Sequence, residues 1–100
     1  MTEKELLAAV KDIATRTGWL FYHTFSSRRS VPGYPDVTMV RGRRLIFAEL
    51  KSDKGKTTDA QDEWLVALGG AAEAYVWRPS DLDDIGTILS PRYAHQAPHE

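Results

Sequence analysis

Apolar residues recur along this chain with two periods, and the switches between them lay out the elements. Leu6, Val10 and Ile13 return at helical spacing, with Leu7 and Ala14 widening the stripe. That helix opens on a capping box, Thr2-Glu3-Lys4-Glu5, and stops at Gly18. Residues 19–25 (W-L-F-Y-H-T-F) predict a first strand, and the turn-rich residues 26–34 a loop. Val37, Met39 and Val40 form one β-rich arm, and Leu45, Ile46, Phe47 and Leu50 the other. A second box, Thr58-Asp59-Ala60-Gln61, starts a helix with Trp64, Leu65 and Leu68 inward and Gly69-Gly70 at its end. Residues 74–77 predict a last strand stopped by Pro79. Ser80 is expected to cap a short acidic helix over 81–89, with Leu82, Ile85 and Leu89 toward the core. Residues 91–100 show no periodicity and are expected to be a frayed, disordered tail. The order predicts one α/β domain over residues 1–90, a mixed sheet of about four strands flanked by helices. Its middle hairpin is antiparallel, and the strand–helix–strand unit after it suits a right-handed parallel crossover.

The hairpin fixes a register. Gly42 is the residue able to take φ > 0, as the first central position of a type II′ turn requires. With Gly42-Arg43 as a two-residue loop, Arg41 pairs with Arg44 and Asp36 falls opposite Glu49. A four-residue loop keeps that register, and a three-residue loop breaks it. Opposed residues have Cβ atoms roughly 4.5–5.5 Å apart. Glu49 and Lys51 share a face while Leu50 points away. Facing carboxylates repel, so something positive is expected between them. Lys51 as an ion-pair partner is one answer, and a divalent cation is the other, since hard oxygen ligands suit Mg²⁺ or Mn²⁺. On this geometry, removing either acid is expected to preserve or improve metal-free stability.

Charge sharpens the picture once it is split by position. The net charge is −1, yet from Arg28 to Lys56 eight basic residues outweigh three acidic ones, a local balance of +5. Arg28, Arg29, Arg41, Arg43, Arg44, Lys54 and Lys56, with Lys51, form the footprint expected of a phosphate-backbone binder. A solvated arginine-rich loop accounts for the same residues without DNA. With no cysteine, disulfides, thiolate zinc sites and cysteine nucleophiles are excluded. No apolar run is as long as a membrane span and no signal-peptide pattern opens the chain, so a cytoplasmic setting is expected. His23 is read as a packed, hydrogen-bonded strand residue, and His95 with His99 not as a metal site. Glu3 heads the buried face of the first helix, where it suits either the helix dipole or a metal. Gln61 either closes its capping box or faces the sheet, and spacing does not choose.

G-Y-P-D at 33–36, E-L-K at 49–51, Gln61 with Trp64, and a glutamate on the first helix together resemble the PD-(D/E)XK nuclease superfamily. More narrowly the chain resembles the VRR-NUC branch, whose small stand-alone members occur in phages and bacteria. The resemblance implies a restriction-endonuclease-like core and a Mg²⁺- or Mn²⁺-dependent deoxyribonuclease. Asp36 and Glu49 would ligate the metal, completed by Glu3 rather than Glu5. Lys51 would position water and stabilise charge on phosphorus, and Gln61 would match an active-site glutamine. Homodimers, branched or four-way-junction DNA, and a helicase or other repair partner are further implications. Two alternatives stay open: a non-catalytic DNA-binding module on the same fold, and a duplex-specific or nicking endonuclease.

Overall fold

The computed structural model describes residues 1–25 and 30–92. Helix α1 spans Glu3–Arg16, and strands β1 (Leu20–His23), β2 (Val37–Arg41) and β3 (Arg44–Leu50) follow it. Helix α2 (Asp59–Gly69) and strand β4 (Glu73–Trp77) lead through a 3₁₀ turn, Pro79–Asp81, to helix α3 (Leu82–Leu89). One four-stranded sheet runs β1-β2-β3-β4, antiparallel at its first two pairings and parallel at the last. This is the α/β, restriction-endonuclease-like core expected from the sequence. Residues 26–29, with Arg28 and Arg29, and residues 93–100 of the expected tail lie outside the described residues.

Both capping boxes form. Thr2 Oγ1 accepts from Glu5 N–H while the Glu5 carboxylate accepts from Thr2 N–H, and Thr58 and Gln61 repeat the exchange. The hairpin register is Arg41↔Arg44 through Val37↔Ala48. Gly42 has φ +60° and, among the described residues, no non-glycine residue has positive φ, which suits a type II′ turn.

Alternation along β3 separates two faces. Ile46, Ala48 and Leu50 join Val37 and Met39 in a core closed by Leu6, Val10 and Ala14 of α1 and Ile85 and Leu89 of α3. Phe47 and Glu49 point the other way, toward α2, where Tyr34 sets its ring edge-on to both Phe47 and Trp64. Trp64, Leu65 and Leu68 are only half-buried there. Outside α2's cover, Leu20, Val40 and Leu45 line up across three strands as an exposed apolar row.

Three local expectations are corrected. Trp19 precedes β1 instead of belonging to it, because its indole is buried and donates to Leu89 O at 3.0 Å. His23 is exposed, since β1 is the sheet's edge and Phe21 is the β1 residue that packs on the core. Ser80 does not cap α3: the chain first makes the 3₁₀ turn, closed by Arg78 N–H donating to Asp81 Oδ2 at 2.9 Å.

Candidate active site

The hairpin brings its acids to the open end of β3, and neighbouring segments hold them there. Asp36 lies just before β2, tied by its carbonyl, which accepts from Thr24 N–H at 2.7 Å. Its Oδ2 accepts from Leu50 N–H at 2.8 Å. Thr24 Oγ1 also donates to Pro35 O, so the turn into Asp36 is pinned twice by one residue. The Leu50 contact corrects one expectation. Removing Asp36 relieves a repulsion but strands a backbone donor, at a cost of about 1–3 kcal/mol. Loss of Asp36 therefore carries a cost as well as a relief.

Glu49 is only 3% exposed. Its Oε2 accepts from Gln61 Nε2 at 2.9 Å and lies 3.6 Å from Lys51 Nζ. Its Oε1 is buried with no hydrogen-bond partner. Burial first, then the neighbouring charge of Asp36 and a hydrogen bond that the protonated carboxyl can share with it, push Glu49 up to about 8, with Lys51 pulling the other way. A buried carboxylate oxygen without a donor, beside a second carboxylate, fits a hard divalent cation. Asp36 and Glu49 are the residues that would hold one, from facing positions of the hairpin.

Gln61 satisfies both readings at once. Its Oε1 accepts from Thr58 N–H at 2.9 Å, closing the box, while Nε2 reaches across to Glu49. The first turn of α2 is seated on Gly33, whose φ is +96°. A Cβ there would stand 2.5 Å from Ala60 C and O and 2.9 Å from Gln61 N. That contact explains the glycine three residues before Asp36.

The remaining predicted residues divide. Glu5 is committed to its capping box, leaving Glu3 as the uncommitted acid of the α1 turn. Glu3 is exposed, and among the described residues no three His, Cys, Asp or Glu side chains are grouped to hold a metal. Asp36, Glu49, Lys51 and Gln61 are brought together; Glu3 is not joined to them.

Arg41 and Arg44 have other work. Arg41 donates to Thr17 O, Leu89 O and Ser90 O, and Arg44 to Ile88 O and both oxygens of Glu73. Both guanidinium groups lie over the Trp19 ring. They clamp the turn end of the hairpin to the end of α3, five residues or about 17 Å along β3 from Glu49. Reading them as phosphate contacts is thereby corrected. Arg43, at the same turn, is exposed.

Lys54 and Lys56 are exposed on the segment between β3 and α2, at the carboxylate end. That segment is stapled by a residue that sequence reasoning missed: Arg78 Nη1 donates to Ser52 O at 2.7 Å and Gly55 O at 2.6 Å. Backbone carbonyls more than twenty residues away leave no sequence signal, so nothing in the chain announced it. Arg44→Met is expected to destabilise the fold, because it removes a two-bond guanidinium partner of buried Glu73 and a donor to Ile88 O. It should leave the salt dependence of DNA binding unchanged. Lys54→Ala with Lys56→Ala should instead lower the slope of log affinity against log salt, by about 0.9 for each phosphate no longer neutralised. Salt titrations of the two variants check both.

No protein-family model matches the sequence, and no curated protein matches it. Solved structures do match by shape. One, named a VRR_NUC domain protein, superposes with a TM-score of 0.68 at 24% identity, over 89% of this chain and 85% of its own. Another, named VRR_NUC domain, has a TM-score of 0.66 at 20% identity, over 93% of this chain and 100% of its own. A third is a Holliday junction resolvase of the archaeal hyperthermophile Archaeoglobus fulgidus. It aligns at a TM-score of 0.53 and 27% identity, over 77% of this chain and 65% of its own.

Proposed function

We propose that this chain, which has the fold of VRR_NUC domains, is a divalent-metal-dependent DNA endonuclease that acts as a homodimer on branched DNA. The observation that carries the reading is the buried, partnerless Oε1 of Glu49, held beside Asp36 with Lys51 and Gln61 in the same pocket of side chains. A Mg²⁺ or Mn²⁺ ion bound there supplies Lewis-acid polarisation of the phosphodiester and a more acidic water.

The chain's own residues do the rest. Asp36 and Glu49 would hold the cation. Lys51, largely buried, keeps an ammonium 3.6 Å from Glu49 Oε2, where it stabilises negative charge growing on the phosphoryl oxygens. Gln61 steadies Glu49. Glu3 is the further ligand we assign, from the first turn of α1. Lys54 and Lys56 track the phosphate backbone, with Arg43, Arg28 and Arg29 as additional contacts.

The named activity of the archaeal neighbour supports a junction substrate, and a symmetric junction suits two copies of a small domain. The exposed Leu20–Val40–Leu45 row supports self-association.

Cleavage of a four-way junction, a flap, a plain duplex and a single strand tests the reading, each with Mg²⁺, Mn²⁺ or EDTA. Lys51→Ala is expected to lose at least ~10²-fold in rate while still binding DNA. Binding by the unaltered protein without cuts in any metal would favour a non-catalytic module. A preference for plain duplex would favour a restriction-type or nicking enzyme.

A further inference from the structure

Glu49 has two carboxylate oxygens, and its surroundings treat them unequally. Oε2 accepts from Gln61 Nε2 and faces Lys51 Nζ; Oε1 is buried with no partner. What fixes this asymmetry lies one step further out. Thr58 N–H can only donate, so the atom of Gln61 that meets it at 2.9 Å must be the amide oxygen. The nitrogen then necessarily faces Glu49. The amide's orientation thus follows from the chemistry of the capping box, and the box is itself held by Thr58 Oγ1 accepting from Gln61 N–H at 3.1 Å. Gly33, with no side chain to interfere, lets this turn of backbone sit directly against the segment that leads to Asp36.

We infer that the α2 capping box is part of the candidate metal site: through Thr58 N–H it orients Gln61 as a donor that occupies Glu49 Oε2 and reserves Oε1 for the cation. Thr58 is then a positioning residue, acting through Gln61 without touching metal or DNA. A helix cap ordinarily satisfies its own helix. Here the same two residues also decide which oxygen of a ligand is available. The inference rests on the metal-dependent reading above. Hydrogen bonds of this outer kind orient ligands, and losing one typically costs 10–100-fold in metal affinity.

The test is Mn²⁺ binding by calorimetry on the DNA-free protein, with melting temperature measured in parallel. Thr58→Ala loses the Oγ1 cap but keeps the backbone N–H; Thr58→Pro loses both. Thr58 is extended, with φ −89° and ψ 167°, close to what proline adopts. Gln61→Met removes the donor to Oε2 at nearly constant length. All three should melt lower. Mn²⁺ affinity should stay within about twofold in Thr58→Ala, fall roughly tenfold in Gln61→Met, and fall severalfold toward that value in Thr58→Pro. Equal affinities in the alanine and proline variants would overturn the role of Thr58 N–H. If the proline variant does not fold, unchanged affinity in Gln61→Met overturns the proposal on its own. Absence of Mn²⁺ binding by the unaltered protein would bring down the metal reading itself, and that outcome is recognisable before any variant is compared.

Discussion

Glu49→Gln is expected to abolish the proposed metal-dependent cleavage and, in the same molecule, to flatten the pH dependence of metal-free stability. The first effect follows from losing a charged oxygen ligand, and should be at least ~10²–10³-fold in rate. The second follows from linkage. Burial and the charge of Asp36 raise the folded-state pKa of Glu49 from 4.5 to about 8. Between those values the folded chain holds a proton that the unfolded chain has released. The folded form therefore binds more protons, and this group's contribution to stability falls as pH rises from about 4.5 toward 8. Glutamine does not titrate, and its amide resembles the protonated carboxyl in size. The variant should lose that decline and be the more stable protein at pH 8 without metal. A divalent cation should act in the same direction on the unaltered protein, because it favours the ionised carboxylate and releases the proton. Denaturant titrations at pH 5 and pH 8, with EDTA and with Mg²⁺, measure both terms. Equal slopes for the two proteins would count against a protonated Glu49 in the metal-free state. Asp36→Ala makes the contrast: it is also expected to stop cleavage, but it should lose stability at pH 5, where Glu49 is protonated and the stranded Leu50 N–H is not offset by relief of repulsion.

Gly33→Ala is expected to damage the site from a position that holds no metal and touches no substrate. Its Cβ would stand 2.5 Å from the carbonyl carbon and oxygen of Ala60, which are helix backbone and give way only if α2 moves. The positive φ adds strain of its own. Together these should cost about 2–3 kcal/mol, a fall in melting temperature on the order of 10 °C or more for a domain of this size. The shift carries Gln61 away from Glu49, and a displacement near 1 Å is enough to cost about 10²-fold in rate. Thermal melts, with cleavage assayed well below the variant's transition, separate the two losses. Full activity in a folded variant would mean that α2 does not need this seat to place Gln61.

The features legible in the sequence are those set by near neighbours. The register that opposes Asp36 to Glu49 follows from one two-residue turn and the period of a strand, and both capping boxes lie within four residues. Arg41 and Arg44 mislead because their partners are set by the end of α3, up to 49 residues away. Local composition sees positive charge, while the fold commits it to carbonyls and to Glu73. The Arg78 staple is hidden for the same reason. Gln61 is ambiguous in sequence because spacing places a side chain on a helix face but does not assign the two ends of an amide. The helix-one acid is the other gap: Glu3, expected from the sequence to complete a metal site, is exposed and belongs to no group of three acids among the described residues.

The arginine clamp at the hairpin turn also makes that turn a handle. Gly42 and Arg43 project beyond a rigid, carbonyl-locked end of the sheet, and a side chain built on Gly42 would meet nothing within 4 Å. The chain has no cysteine, so Arg43→Cys would create a single thiol. A dye or spin label attached there reports on the molecule from the end of the sheet remote from Glu49. If the chain pairs as proposed, two such labels would give the separation and relative orientation of the copies with Asp36, Glu49, Lys51 and Gln61 left intact, at the loss of the Arg43 side chain.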